Sequence, residues 1–111
     1  MYVEPSENWS AVIKTSRLKR ESRYLWSRPE GEDILLCWVN DRAYAVSAAC
    51  PHNRSSLERG RVDPERLTLE CPHHQWEFSI TSGQGTRQGG CLKTYPTRIA
   101  EKQVWVNCAG L

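Results

Sequence analysis

All three histidines of this 111-residue chain fall in two short segments, Cys50-Pro51-His52 and Cys71-Pro72-His73-His74, each opening on Cys-Pro. Thiolates and imidazoles are the ligand types used by zinc and by iron-sulfur clusters. Each segment supplies one sulfur and at least one nitrogen within reach of a single site, so the residue types alone leave zinc and an iron-sulfur cluster as alternatives. The five cysteines stand at positions 37, 50, 71, 91 and 108. An odd count in a chain with no secretory layout argues against a disulfide framework, including a bridge from Cys50 to Cys71. Cys37 lies in an apolar run and Cys108 follows the last expected strand, so both read as small hydrophobes and not as ligands. Cys91 sits in a glycine-rich stretch, where packing is again the preferred reading.

The order Cys-x-His, eighteen intervening residues, then Cys-x-x-His resembles the Rieske family. Leu57 and Gly60 after the first segment, Trp76 and Phe78 after the second, and the later Leu92, Tyr95 and Pro96 extend the resemblance over roughly residues 34–107. By that resemblance Cys50 and Cys71 bind one iron of a single [2Fe-2S] cluster, and His52 and His74 bind the other. His73 falls at the unligated middle position. The fold implied is an all-β Rieske-type sandwich whose small cluster-binding subdomain spans about residues 48–92, within one domain covering 1–111.

High-potential members of the family add a second cysteine to each ligand loop, and Ser and Tyr hydroxyls that donate to the sulfurs. Here Ser55 and His73 stand in place of the cysteines, and Trp76 and Phe78 in place of the hydroxyl donors. Fewer donors stabilise the reduced, more negative cluster less, which implies a potential on the order of −150 mV, the low end of the Rieske range. The resemblance therefore implies a ferredoxin that carries single electrons from a flavin-dependent reductase to a terminal oxygenase, a protein with no catalytic residues of its own. A carrier role as the small Rieske-like subunit of a nitrite reductase, or for another oxidoreductase, is the alternative within electron transfer. A zinc-stabilised binding module is the alternative from another class. Two positions depart from the family pattern: Gln75 stands where glycine is usual after the last ligand, and the glycine-rich stretch has no proline near Gly90 and Cys91.

The elements that must hold these segments read as short β-strands, with no helical stripe. Strands are expected over 9–13, 24–28, 34–39, 43–47, 67–70, 76–80, 97–100 and 104–107. Pro29-Glu30-Gly31, Asn40-Asp41-Arg42, Asp63-Pro64-Glu65 and Glu101-Lys102 carry turn residues between them. The five tryptophans are expected to supply much of the buried area. Residues 81–92 hold Gly83, Gly85, Gly89 and Gly90 with one charge, Arg87, and read as a shaped loop. The basic run Lys14, Arg17, Lys19, Arg20 and Arg23 reads as a solvated connection between strands.

Charge is mixed, with 15 Lys and Arg against 13 Asp and Glu, and carries no signature of nucleic-acid binding. The first nine residues have neither the basic-then-apolar layout of a signal peptide nor that of an amphipathic presequence. The longest apolar stretch, Ile34–Val39, is far too short to span a bilayer. A soluble, cytoplasmic protein with no membrane partner is the expectation.

Overall fold

The computed structural model describes residues 9–28, 31–51, 56–72, 76–86 and 88–108. In chain order it contains β1 (Trp9–Lys14), α1 (Thr15–Glu21), β2 (Arg23–Trp26), β3 (Ile34–Val39), β4 (Arg42–Ser47) and β5 (Arg61–Asp63), followed by β6 (Thr68–Glu70), β7 (Glu77–Ser79), β8 (Thr94–Tyr95), β9 (Thr97–Ala100) and β10 (Gln103–Asn107). They form three antiparallel sheets, ordered β1-β10-β9, β2-β3-β4-β8 and β5-β6-β7.

The four-stranded sheet is the middle layer. Successive side chains of a strand point to opposite faces, and β3 is apolar throughout, so it can be buried on both. Ile34 and Leu36 join Ala43, Ala45, Ile13, Leu18, Tyr95, Val104 and Val106 in a core against the β1-β10-β9 sheet. Leu35, Cys37 and Val39 face the other way, into a second core with Val46, Leu57, Leu69, Phe78 and Leu92 against the β5-β6-β7 region. The all-β expectation holds, with one addition. α1 is a seven-residue helix in the basic run that read as a connection. It escapes the periodicity test because only Leu18 among its residues is apolar and buried; that side chain is fully enclosed in the first core. Helix α1 ends on Ser22, whose φ is +73° and whose N–H donates to the Leu18 carbonyl at 2.7 Å.

Two turns follow their residues closely. Asn40 and Asp41 have φ of +51° and +64° between paired Val39 and Arg42, and Glu101 and Lys102 have +55° and +65° between paired Ala100 and Gln103. Both are two-residue hairpin loops with positive φ at each central position, whose twist matches that of the strands they join. The expected turn at Asp63-Pro64-Glu65 also forms, joining β5 to β6, with the Leu67 N–H donating to the Asp63 carbonyl at 2.8 Å; Pro29 and Glu30 of the fourth lie outside the described residues.

Other expectations need correction. Leu67 ends the turn before β6 with φ of +55° and is not a strand residue. Strands β5 and β8, of three and two residues, were not expected, being too short to show alternation. The tryptophans do not fill the cores: all five are half-buried, and Phe78 with the aliphatic residues does that work. A ring with a polar N–H sits more cheaply at a core's rim, and here the rim is also cationic. Arg28 lies over Trp26, Lys19 over Trp38 and Arg98 over Trp9, at 5.5, 5.7 and 4.9 Å from the ring centroids.

Candidate metal centre

The two Cys-Pro segments each leave the second core and are closed at their bases by backbone pairing. Around the first, Ala49 and Ser56 form an antiparallel bridge, and the Leu57 N–H donates to the Ala48 carbonyl at 2.7 Å. The second continues the β6–β7 hairpin, where the Cys71 N–H donates to the Trp76 carbonyl at 2.8 Å. The structure thus delivers both cysteines from loops pinned at their bases. Cys50 is fully buried and Cys71 is 2 % exposed, both in the same core, with Leu57, Phe78 and Leu92 around them. Two soft donors shielded together from water are suited to metal ligation, since a thiolate in apolar surroundings needs a cation to neutralise it. The donor set fits a cluster iron. His52 and His74, the two nitrogen ligands expected, lie outside the described residues, as do His73, Ser55 and Gln75.

The two loops come together at the surface as well. Ser56, Glu58, Arg59 and Pro72 line one shallow hollow of about 220 Å³. Gly60 brings the first loop down on the hairpin: a Cβ there would lie 2.6 Å from the Glu70 carbonyl oxygen and 2.9 Å from Leu69 Cδ1, so no larger residue fits. Arg23 on β2 fastens the same loop to the middle sheet. Its Nη1 donates to the carbonyls of Glu58 at 2.5 Å and Gly60 at 2.8 Å. Beneath the site, burial pushes the Cys37 thiol up to about 11, an effect that the nearby Arg23 only partly offsets, and Cys37 stays a neutral packing group as expected.

Trp76 and Phe78 occupy one face of the hairpin, two positions apart, with ring centroids 6.3 Å apart and planes tilted at 54°. Neither brings a hydroxyl. The third loop closes from the other side: Gly83 has φ of +84°, and the Leu92 N–H donates to its carbonyl at 2.6 Å. Gly90 of the same loop approaches Trp76 closely enough that a Cβ would touch the indole at 3.7 Å. Cys91 is exposed, not packed, which overturns the packing expectation: Leu92 turns inward instead and its neighbour points to solvent. Tyr95 returns the chain to the scaffold core, with its hydroxyl 3.4 Å from Glu32 Oε1. Burial and the Glu32 carboxylate both raise its pKa.

Sequence reasoning missed Arg23 and Glu77. Arg23 looked like one cation of a basic run, and its carbonyl partners, 35 and 37 residues away, leave no trace in side-chain pattern. Glu77 lies between Trp76 and Phe78, where alternation along a strand puts a charged side chain toward solvent, yet it is only 4 % exposed.

Comparison with known proteins agrees with this geometry. The family model described as Rieske [2Fe-2S] domain matches residues 8–96. The ferredoxin component of the alkene monooxygenase system of Xanthobacter autotrophicus is 29% identical over 75 residues, which are 67% of this chain and 61% of that protein, just under two thirds of its length. The ferredoxin component of the naphthalene 1,2-dioxygenase/salicylate 5-hydroxylase systems of a Ralstonia species is 32% identical over 76 residues, 67% of this chain and 71% of the relative. Among solved structures, a chain of the complex of reduced oxygenase and oxidized ferredoxin in carbazole 1,9a-dioxygenase superposes with a TM-score of 0.81 at 23% identity, covering 91% of this chain and 94% of that one. With the paired buried cysteines in place, this match over most of its length means that the chain belongs to the Rieske [2Fe-2S] domain family and that its cofactor is one Rieske-type 2Fe-2S cluster.

Proposed function

We propose that this chain is a soluble, cytoplasmic, low-potential Rieske ferredoxin that takes single electrons from a flavin-dependent reductase and delivers them to a terminal oxygenase. The observation that carries the reading is the pair Cys50 and Cys71, buried in one core at the bases of two pinned loops, each cysteine followed within three residues by a histidine. The relatives named as ferredoxin components of oxygenase systems support the direction of transfer. Among the described residues no helix is long and apolar enough to cross a membrane.

In this reading Cys50 and Cys71 hold the inner iron, and His52 and His74 hold the outer iron. The cluster supplies a one-electron couple, less negative than an all-cysteine cluster because two imidazoles are neutral. The chain's own residues do the rest. Leu57, Phe78 and Leu92 exclude water from the cysteine side. Trp76 and Phe78 withhold the hydroxyl donors that would raise the potential. The imidazole edges of the two histidines are the natural point of approach for a partner in a small, brief interface.

The test is replacement of each histidine in turn. His52→Ala and His74→Ala should abolish or badly destabilise the cluster, while His73→Ala should leave it assembled. Equal loss in all three would refute the ligand assignment. Protein-film voltammetry should place the wild-type potential well below zero, on the order of −150 mV; a value well above zero would overturn the low-potential reading.

A further inference from the structure

Glu77 is a buried carboxylate that the electron-transfer reading does not use. Its Oε2 accepts the Thr68 hydroxyl at 2.8 Å, and its Oε1 accepts the Thr86 hydroxyl and lies 3.0 Å from Arg66 Nη2. Its backbone is engaged as fully. The Gln88 side chain closes a ring on it, with Nε2 donating to the Glu77 carbonyl at 3.1 Å and Oε1 accepting the Glu77 N–H at 3.3 Å. The Thr86 N–H reaches the same carbonyl at 2.9 Å. One residue therefore gathers β6, the turn before it and the glycine-rich third loop.

The position is specific. Glu77 pairs with Glu70 in the β6–β7 ladder, one step along the strand from the Cys71–Trp76 hydrogen bond that closes the second ligand segment. A carboxylate so enclosed costs several kcal/mol unless it is paired and hydrogen-bonded. Arg66 and two hydroxyls meet that requirement, and two of the ties, through Thr86 and Gln88, run to the loop whose Gly90 lies against Trp76.

We propose that Glu77 is a positioning residue whose buried carboxylate latches the third loop against the Trp76 side of the metal centre and sets, with Arg66, the charge balance next to it. This inference rests on the Rieske ferredoxin reading. The experiment uses the full-length, cluster-loaded protein with three substitutions: Glu77→Gln, Arg66→Met and, on the exposed side of the latch, Thr86→Val. Hydrogen exchange is read at the amides of Gly85, Thr86 and Leu92, and the midpoint potential by voltammetry.

Glu77→Gln and Thr86→Val should each speed exchange at Gly85 and Thr86 at least tenfold while leaving the β1-β10-β9 sheet unchanged. Glu77→Gln removes a negative charge and should raise the potential, whereas Arg66→Met leaves that charge uncompensated and should lower it. A residue that only supported the fold would not give opposite signs. Unchanged loop exchange in both Glu77→Gln and Thr86→Val, or potentials that fail to move in opposite directions, would overturn the proposal. Wild-type protein that binds no iron would instead refute the ferredoxin reading, and loop exchange in that protein would then decide the latch alone.

Discussion

Replacing Gly83 by alanine tests how the third loop is held, because two independent costs meet at that position. The residue has φ of +84°, which costs a residue bearing a Cβ about 1–2 kcal/mol. The added Cβ would also lie 1.9 Å from the Leu92 carbonyl oxygen and 3.0 Å from its carbon, both backbone atoms that cannot rotate aside. Relief requires moving Leu92, which is 1 % exposed and donates its N–H to the Gly83 carbonyl. Leaving buried backbone groups unpaired costs about 1–3 kcal/mol more. The sum is about 2–5 kcal/mol, or a fall in Tm of roughly 8 °C or more for a domain of this size. Thermal unfolding of the cluster-loaded protein, followed by circular dichroism, measures it, with Gly89→Ala as the control. A Cβ at Gly89 meets nothing within 4 Å, so that variant should stay within about 0.5 kcal/mol of wild type. Equal stability of Gly83→Ala and Gly89→Ala would refute the account of the loop.

Arg23→Met should weaken the first ligand loop by roughly 1–2 kcal/mol, since two charge-assisted bonds to Glu58 and Gly60 are lost in a partly exposed setting; faster hydrogen exchange at the Leu57 and Gly60 amides is the readout. Leu18→Ala should cost about 2–5 kcal/mol in chemical denaturation by opening the first core, whereas Glu21→Ala, which breaks only the exposed Arg17 pair, should cost no more than about 0.5 kcal/mol. The Cys37 thiol has its folded pKa raised from 9.0 to about 11, so its contribution to stability is intact below the unfolded value and is lost as pH rises toward the folded one. That loss amounts to roughly 2–3 kcal/mol across the window; urea titrations at stepped pH should show it, and Cys37→Ala should remove that part of the slope.

Legibility in the sequence followed the range of the interactions. The Asn40-Asp41 and Glu101-Lys102 turns, the doubly buried β3 and the shared face of Trp76 and Phe78 depend on neighbours a few residues apart, and pattern reveals them. Helix α1 was hidden because one apolar residue in seven makes no stripe, so its stability comes from Leu18 in the first core. Strands β5 and β8 are too short to show alternation, β5 being fixed by its hairpin with β6 and β8 by its pairing with the distant β4. Cys50 and Cys71 stood out by residue type and spacing, and the structure places both in one core. Arg23 and Glu77, which hold the loops around them, are ordinary surface residues by type; their burial and partners arise only once three segments have converged. The exposure of Cys91 has the same origin, since the turn at Gly90 decides which of two adjacent side chains faces inward.

The central claim is the nature of the metal group, and its most direct test is chemical analysis of the purified protein together with electron paramagnetic resonance after dithionite reduction. The account predicts red-brown protein with iron and acid-labile sulfide at about two of each per chain and a Rieske-type signal in the reduced state. Colourless, zinc-loaded, spectroscopically silent protein, still without iron or sulfide after anaerobic reconstitution, would contradict it.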